Sequence, residues 1–177
     1  AELDAILATG ARTVKIVKPY ADDARVLRKF AHAERNGALA IGMDLDHSFN
    51  HRGEFDHVLG FPLRPRSFDE IKGYVRATKL PFVIKGVLSV RDALLCLEAG
   101  VSGIVVSHHH GILPFAVPPL MVLPEIVAAV GGKMAIFVDC GVMTGMDVFK
   151  ALALGATAVS AGRVVMGPLA AEGPEGI

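Results

Sequence analysis

The sequence predicts an α/β fold and, more narrowly, a partial TIM barrel of the (β/α)8 type. Short apolar segments alternate with segments of helical periodicity, and polar residues stand at the ends of several apolar segments. The chain has 177 residues, whereas a closed barrel needs eight strands and about 250 residues. We therefore expect one incomplete barrel domain over residues 1–177, a fragment that lacks about two of the strand–helix units.

Six apolar segments are predicted to be parallel strands. Each is almost continuously apolar, which is typical of a strand that is covered on both faces. The six segments are Thr13–Val17, Leu39–Asp44, Pro81–Lys85, Gly103–Ser107, Ala135–Asp139 and Thr157–Ala161.

The segments between these strands carry the start and stop signals of crossover helices. Residues 21–36 have apolar residues near helical spacing and end at Asn36-Gly37, a helix C-terminal signal. Ser89 is predicted to cap a helix that ends near Gly100. Thr144 or Gly145 is predicted to open another, which ends at Gly155.

The residues at the strand ends distinguish a barrel from an open sheet. Lys85, Ser107, Asp139 and Gly162-Arg163 all follow or end successive strands. Barrel enzymes place their chemistry at this carboxyl rim, whereas an open sheet concentrates ligand groups at one switch point. The linker 48–65 lies on the same side and is longer than most strand–helix connections, so it is a candidate lid.

Composition excludes several classes of function. The chain has 18 Lys and Arg against 18 Asp and Glu, so no net charge attracts a nucleic acid. Residues 99–124 carry no Lys, Arg, Asp or Glu, but their prolines and histidines argue against a membrane span. Cys96 and Cys140 are too few for a disulfide framework, and the first residues show no targeting pattern. We expect a cytoplasmic protein whose chain begins mid-protein.

Three adjacent histidines after the fourth strand are the sharpest candidate for chemistry. Ser107 is followed by His108, His109 and His110. One of them acting as a proton acceptor, a metal site and a plain polar turn all remain open at this point. Neighbouring residues do not converge easily on one ion, so we do not predict a metal site.

Two further features point to an anionic ligand. Lys85 is a lone cation on an otherwise apolar strand, so its ammonium is expected to face a cavity that holds negative charge. Gly141 and Gly162-Arg163 offer backbone amides and a guanidinium to a phosphate. Asp44 and Asp46 could orient a histidine or form a solvated pair.

Several segments, taken in order, resemble one known family. They are Leu80–Val87, Ala99–Ser107 with His109, Asp139–Val142, Asp147–Ala156 and Gly162-Arg163. Together they resemble the FMN-dependent α-hydroxy-acid oxidases and dehydrogenases, the lactate oxidase and glycolate oxidase family. The resemblance implies strands three to eight of a flavin-binding barrel.

The resemblance also implies roles for individual residues. His109 would be the active-site base, Asp46 would hold it and stabilise its imidazolium, and Lys85 would stabilise reduced flavin. The residues expected to bind FMN are Lys85, Ser107, Asp139, Gly141, Gly162 and Arg163. The implied reaction oxidises a small, lactate-like 2-hydroxy acid to the 2-oxo acid, with hydride equivalents passing to flavin N5.

The chain departs from the family pattern where the substrate carboxylate is bound. The family has an arginine at the position of Ile112, and another at that of Met143. We expect His108, His110 or Lys18 to supply positive charge to the substrate instead.

Two other functions remain open from the sequence. One is a different FMN or phosphate-ligand barrel enzyme, an isomerase or a nucleotide dehydrogenase, and the other is a non-catalytic barrel remnant. The resemblance implies a small-molecule substrate and a homo-oligomer in the full-length form, and it leaves the electron acceptor undetermined.

Overall fold

The computed structural model describes residues 2–50 and 52–177, and it contains a six-stranded parallel sheet. Neighbours in the sheet follow chain order. The strands are β1 (Val14–Val17), β2 (Ala40–Asp44), β5 (Phe82–Val87), β6 (Gly103–Val106), β7 (Ala135–Val138) and β8 (Ala158–Val159). The six predicted strands are confirmed, although β8 is shorter than the sequence predicts.

Helices connect the strands and cover the sheet. They are α1 (Glu2–Ala8), α2 (Asp23–Arg35), α3 (Phe68–Arg76), α4 (Val90–Glu98), α5 (Pro119–Val130), α6 (Gly145–Ala153) and α7 (Met166–Glu172). The predicted caps are present, since the side chains of Ser89 and Thr144 accept the backbone N–H of Asp92 and Asp147. Among the described residues, no helix combines the length and the apolar character needed to cross a membrane.

The core lies between the sheet and these helices. Ile41, Ile84 and Ile104 on three neighbouring strands are fully buried, as are Phe30 of α2 and Ile126 of α5. Burying a large apolar side chain contributes about 1.5–3 kcal/mol. This layer fixes the register in which Asp44 of β2 lies beside Lys85 of β5.

The sheet is an incomplete barrel with two edges. Within the described part of the chain, β1 pairs only with β2, and β8 pairs only with β7. These are the strands that the sequence predicts to be unpaired on one side, because the missing units would lie there.

The candidate lid contains a small hairpin that the sequence analysis did not predict. Residue 51 lies outside the described residues, and the rest of 48–65 includes the antiparallel strands β3 (His57–Val58) and β4 (Phe61–Pro62). Its turn residues Leu59 and Gly60 both have positive φ. Such turns usually carry Asn or Gly at the first position, so a leucine there hides the hairpin signal.

Candidate active site

The carboxyl ends of the strands form one rim, and a cavity opens on it. The residues that line this rim cavity are Lys85, His109, His110, Asp139, Cys140, Gly141, Val142, Met143, Ser160, Gly162 and Arg163. They come from the ends of four consecutive strands, β5 to β8. The structure therefore brings together Lys85, the histidine turn and the proposed phosphate residues.

Lys85 lies among carboxylates at the floor of this site. Its Nζ donates to Ser107 Oγ at 2.7 Å and lies 3.3 Å from Asp139 Oδ2 and 3.7 Å from Asp46 Oδ2. Burial alone would lower the pKa of Lys85, but the nearby charges of Asp46, Asp44 and Asp139 outweigh it and raise the pKa. Lys85 therefore stays a cation.

His109 is placed by the turn that follows β6. Its backbone N–H donates to Ser107 Oγ at 3.1 Å, and φ is positive at both His109 and His110, a conformation uncommon outside glycine. The imidazole Nδ1 lies 2.8 Å from Asp46 Oδ1. Because the carboxylate accepts the Nδ1 hydrogen, Nε2 is the nitrogen that is left to take a proton.

Two carboxyl groups set the charge of this imidazole. Contacts with Asp44 and Asp46 raise the pKa of His109 to about 9. Burial opposes ionisation of Asp44, but hydrogen bonds from His109, Asp46 and Lys18 hold its pKa well below the ordinary value. Burial and the neighbouring Asp44 raise the pKa of Asp46. His109 is therefore an imidazolium at neutral pH.

A bulge in β5 brings this group together. The pairing of β5 with β6 shifts register between Lys85 and Val87, and Gly86 between them has a φ of +102°. A Cβ built on Gly86 would lie 2.6 Å from Asp46 Cβ. Only a glycine at this position lets the backbone pass Asp46 so closely.

A second group of charges lies on the β1–β2 side of His109. We call Lys18, Asp44, His47 and Asp56 the Lys18 cluster. Lys18 Nζ lies 2.5 Å from Asp44 Oδ2 and 2.6 Å from His47 Nδ1, and His47 Nε2 lies 2.6 Å from Asp56 Oδ2. The His47 ring also packs edge-on against the His109 ring, with centroids 4.8 Å apart. The sequence analysis did not identify His47 or Asp56.

We interpret this cluster as an ion-pair network. Asp44, His47 and His109 offer ligand-type atoms within 4.8 Å of one another. The ammonium of Lys18, however, already lies between Asp44 and His47. We do not assign these residues as metal ligands.

The remaining sequence candidates fall in different places. His110 lines the rim cavity, whereas His108 faces a separate cavity and its Nδ1 accepts the backbone N–H of Gly111 at 2.9 Å. Ile112 and Lys18 are not among the described residues that line the rim cavity. The substrate-binding roles of His108, His110 and Lys18 stay predictions.

Cys140 is a site residue that sequence reasoning missed. Its Sγ accepts the backbone N–H of His110 at 3.2 Å, and its own φ is +68°. The only sequence signal was its place directly after Asp139, at the end of a strand. Cys140 therefore helps to fix the histidine turn.

The chain is similar to curated 2-hydroxy-acid oxidases. The 4-hydroxymandelate oxidase of Amycolatopsis orientalis is 48% identical over 114 residues, which cover 64% of this chain and 32% of that protein. The glycolate oxidase of Spinacia oleracea is 41% identical over 129 residues, covering 72% of this chain and 35% of that protein. The chain thus matches about a third of the length of these relatives.

Solved structures show the same relationship over nearly the whole chain. A mandelate oxidase superposes with a TM-score of 0.87 and 36% identity, covering 98% of this chain and 57% of that one. A mandelate oxidase mutant with a monooxide FMN adduct gives a TM-score of 0.89 and 40% identity, covering 98% of this chain and 55% of that one.

Family membership follows from the sequence match and the fold together. The FMN-dependent dehydrogenase family matches residues 65–177, the part of the chain that supplies β5 to β8 and most of the rim cavity. The six parallel strands are those of an incomplete barrel like that of the mandelate oxidases. This chain belongs to the FMN-dependent dehydrogenase family, and its cofactor is FMN.

Proposed function

We propose that the full-length protein is an FMN-dependent oxidoreductase that oxidises a small, lactate-like (S)-2-hydroxy acid to the 2-oxo acid. The observation that carries this proposal is the placement of His109. Its Nδ1 is held by Asp46, and the same side chain lines the rim cavity together with Lys85. A proton acceptor and a buried cation therefore face one ligand space.

The rim cavity has the donors that FMN requires. Gly141 and Gly162 are open, since a Cβ built on either would meet no atom within 4 Å. With the exposed Arg163 they would hold the phosphate, while Lys85 and Ser107 would contact the flavin ring. When bound, FMN supplies a two-electron acceptor.

The chain's own residues would handle the proton and the charge. His109 Nε2 would take the proton of the substrate hydroxyl once the imidazole is neutral. Asp46 would stabilise the imidazolium that results. The Lys85 ammonium would offset negative charge that develops at the pyrimidine end of the flavin.

The substrate carboxylate needs a different partner from the family arginine. Ile112 stands at that position, and His110 is the candidate cation that lines the rim cavity next to His109. We therefore propose His110 as the carboxylate contact. The relatives whose names specify glycolate or 4-hydroxymandelate define the alternatives to lactate.

The test is the absorption spectrum of the purified full-length protein. We expect oxidised-flavin peaks that bleach when lactate is added without oxygen, with glycolate and mandelate as comparisons. Peaks that bleach with none of them would indicate another flavin barrel enzyme. A protein that takes up no flavin even when FMN is supplied would be a non-catalytic remnant.

We further propose that the full-length protein is cytoplasmic and homo-oligomeric, with residues 1–177 as part of one domain and 48–65 as its lid. The free thiols of Cys96 and Cys140 support a reducing compartment. Exposed apolar residues such as Phe149 of α6 support a subunit contact. Light scattering of the full-length protein tests the oligomer.

A further inference from the structure

Two carboxylates approach one nitrogen of the proposed base. His109 Nδ1 lies 2.8 Å from Asp46 Oδ1 and 3.3 Å from Asp44 Oδ1. A ring nitrogen has one hydrogen to donate, so the two oxygens compete for it. Both side chains are almost completely buried. A third group must therefore fix which carboxylate bonds the ring.

Lys18 is in contact with one of these carboxylates and not with the other. Its Nζ binds Asp44 through Oδ2, the oxygen that does not face His109. An ammonium can only donate, so His47 Nδ1 must accept from Lys18 and His47 Nε2 carries the hydrogen that is donated to Asp56. Lys18 is thus held from both sides in one orientation.

We propose that Lys18 is a positioning residue that acts through Asp44 on His109. It holds Asp44 by its far oxygen, so that Asp46 keeps the hydrogen bond to the His109 ring. The inference rests on the proposed function only in that it takes His109 to be the base.

The surroundings argue against Lys18 as a receptor for the substrate carboxylate. Two of its three ammonium hydrogens are already used, by Asp44 and His47. A substrate carboxylate would have to displace Asp44, which would then be a buried carboxylate without a cation. The cluster lies on the β1–β2 side, whereas the rim cavity is built from β5 to β8.

Other charges also face His109, and they stay constant in the test below. On its other side are Lys85 and Asp139, while His110 and Arg163 line the rim cavity beside it. Asp46 and the ring of His47 complete the shell. A change confined to Lys18 or Asp44 therefore reports on that pair.

The experiment is an NMR titration of the His109 ring in substrate-free full-length protein with labelled histidine. Four forms are compared, namely wild type, K18M, D44N and K18M/D44N. K18M should raise the His109 pKa by about one unit or more, because Asp44 then has His109 as its remaining cation. In the D44N background the same change should move the titration by less than about half as much.

Control variants separate this role from its rivals. K18R keeps the charge and should leave the titration close to wild type. K15M removes a lysine from the same strand, at a separate cavity, and should also leave it unchanged. Should K18M fail to fold, K18Q takes its place in the cycle.

Two results would overturn the proposal. Equal shifts with and without Asp44 would mean that Lys18 acts on His109 directly by its charge. No shift in either background, with a raised KM for the 2-hydroxy acid in K18M, would make Lys18 a substrate ligand. Because the titration needs no turnover, a failure of the oxidase assignment would show separately, as flavin that no 2-hydroxy acid bleaches.

Discussion

Two lysines at the rim of the sheet have opposite surroundings. Lys85 on β5 lines an open cavity and carries the sequence pattern of the family, whose match covers residues 65–177. Lys18, directly after β1, lies outside that match and is bonded to Asp44 and His47. His109 lies between them, since its ring reaches back to Asp44 and Asp46.

The difference separates two uses of the same side chain. Around Lys85 the counter-charges leave a face free for a ligand, and this is the cofactor side. Around Lys18 the counter-charges close on the ammonium, and this side sets the state of the base. A cation at a barrel rim is therefore a ligand group only where its partners leave it accessible.

The largest expected effect comes from the residue that joins the two regions. His109→Gln should reduce turnover by about 10²-fold or more, the usual range for loss of a general base, while flavin stays bound. Steady-state kinetics and the flavin spectrum of the full-length variant check this. His32→Gln on α2, outside the site, is the matched control. Near-normal turnover in His109→Gln would mean that another residue is the base.

The pH dependence tests whether the carboxylates on the β2 side govern that base. The base must be neutral, and its pKa is raised to about 9. Below that pH turnover should fall about tenfold per unit, so that pH 7 gives about a hundredth of the plateau. A pH–rate profile of kcat/KM measures it. A profile already flat from pH 7 upward would show that Asp44 and Asp46 do not keep the imidazole protonated.

Removing the cation on the open side should act on the flavin. Lys85→Met keeps most of the stem but loses a charged hydrogen bond of about 1.5–3 kcal/mol. For a two-electron couple this lowers the flavin potential by about 30–60 mV. A redox titration of the full-length variant tests it, with Lys18→Met as the comparison that should move the potential less. An unchanged potential in Lys85→Met would remove Lys85 from the flavin site.

The smallest effects should distinguish the two histidines beside the base. His110→Gln should raise KM severalfold, because His110 lines the rim cavity. His108→Gln should change KM by less than about twofold, since His108 accepts a turn hydrogen bond and faces elsewhere. Equal changes in KM for both variants would show that the substrate extends beyond the rim cavity.

Much of the fold could be predicted from the sequence, because local signals agree with one another. Continuous apolar segments gave all six parallel strands, and the caps at Ser89 and Thr144 marked helix starts. The hairpin at 57–62 escaped because Leu59 adopts positive φ in place of the usual Asn or Gly. The β8 strand is shorter because it lies at an edge.

The site divides in the same way. Lys85, Ser107 and Asp139 were predictable because parallel strand ends meet at one rim. The Lys18 cluster was not, since it joins residues 18, 44, 47 and 56 through side chains and no spacing rule links them. His47 and Asp56 lie in a long loop, where sequence gives no periodicity from which to infer contacts.

The close passage of Gly86 past Asp46 bears on how mutational scans of this protein are interpreted. A side chain at position 86 would collide with the carboxyl group that holds the base, with a Cβ only 2.6 Å from Asp46 Cβ. A scan would therefore score this residue as intolerant as His109, although it has no functional group. At this rim, sensitivity to substitution measures occupied space as well as chemistry.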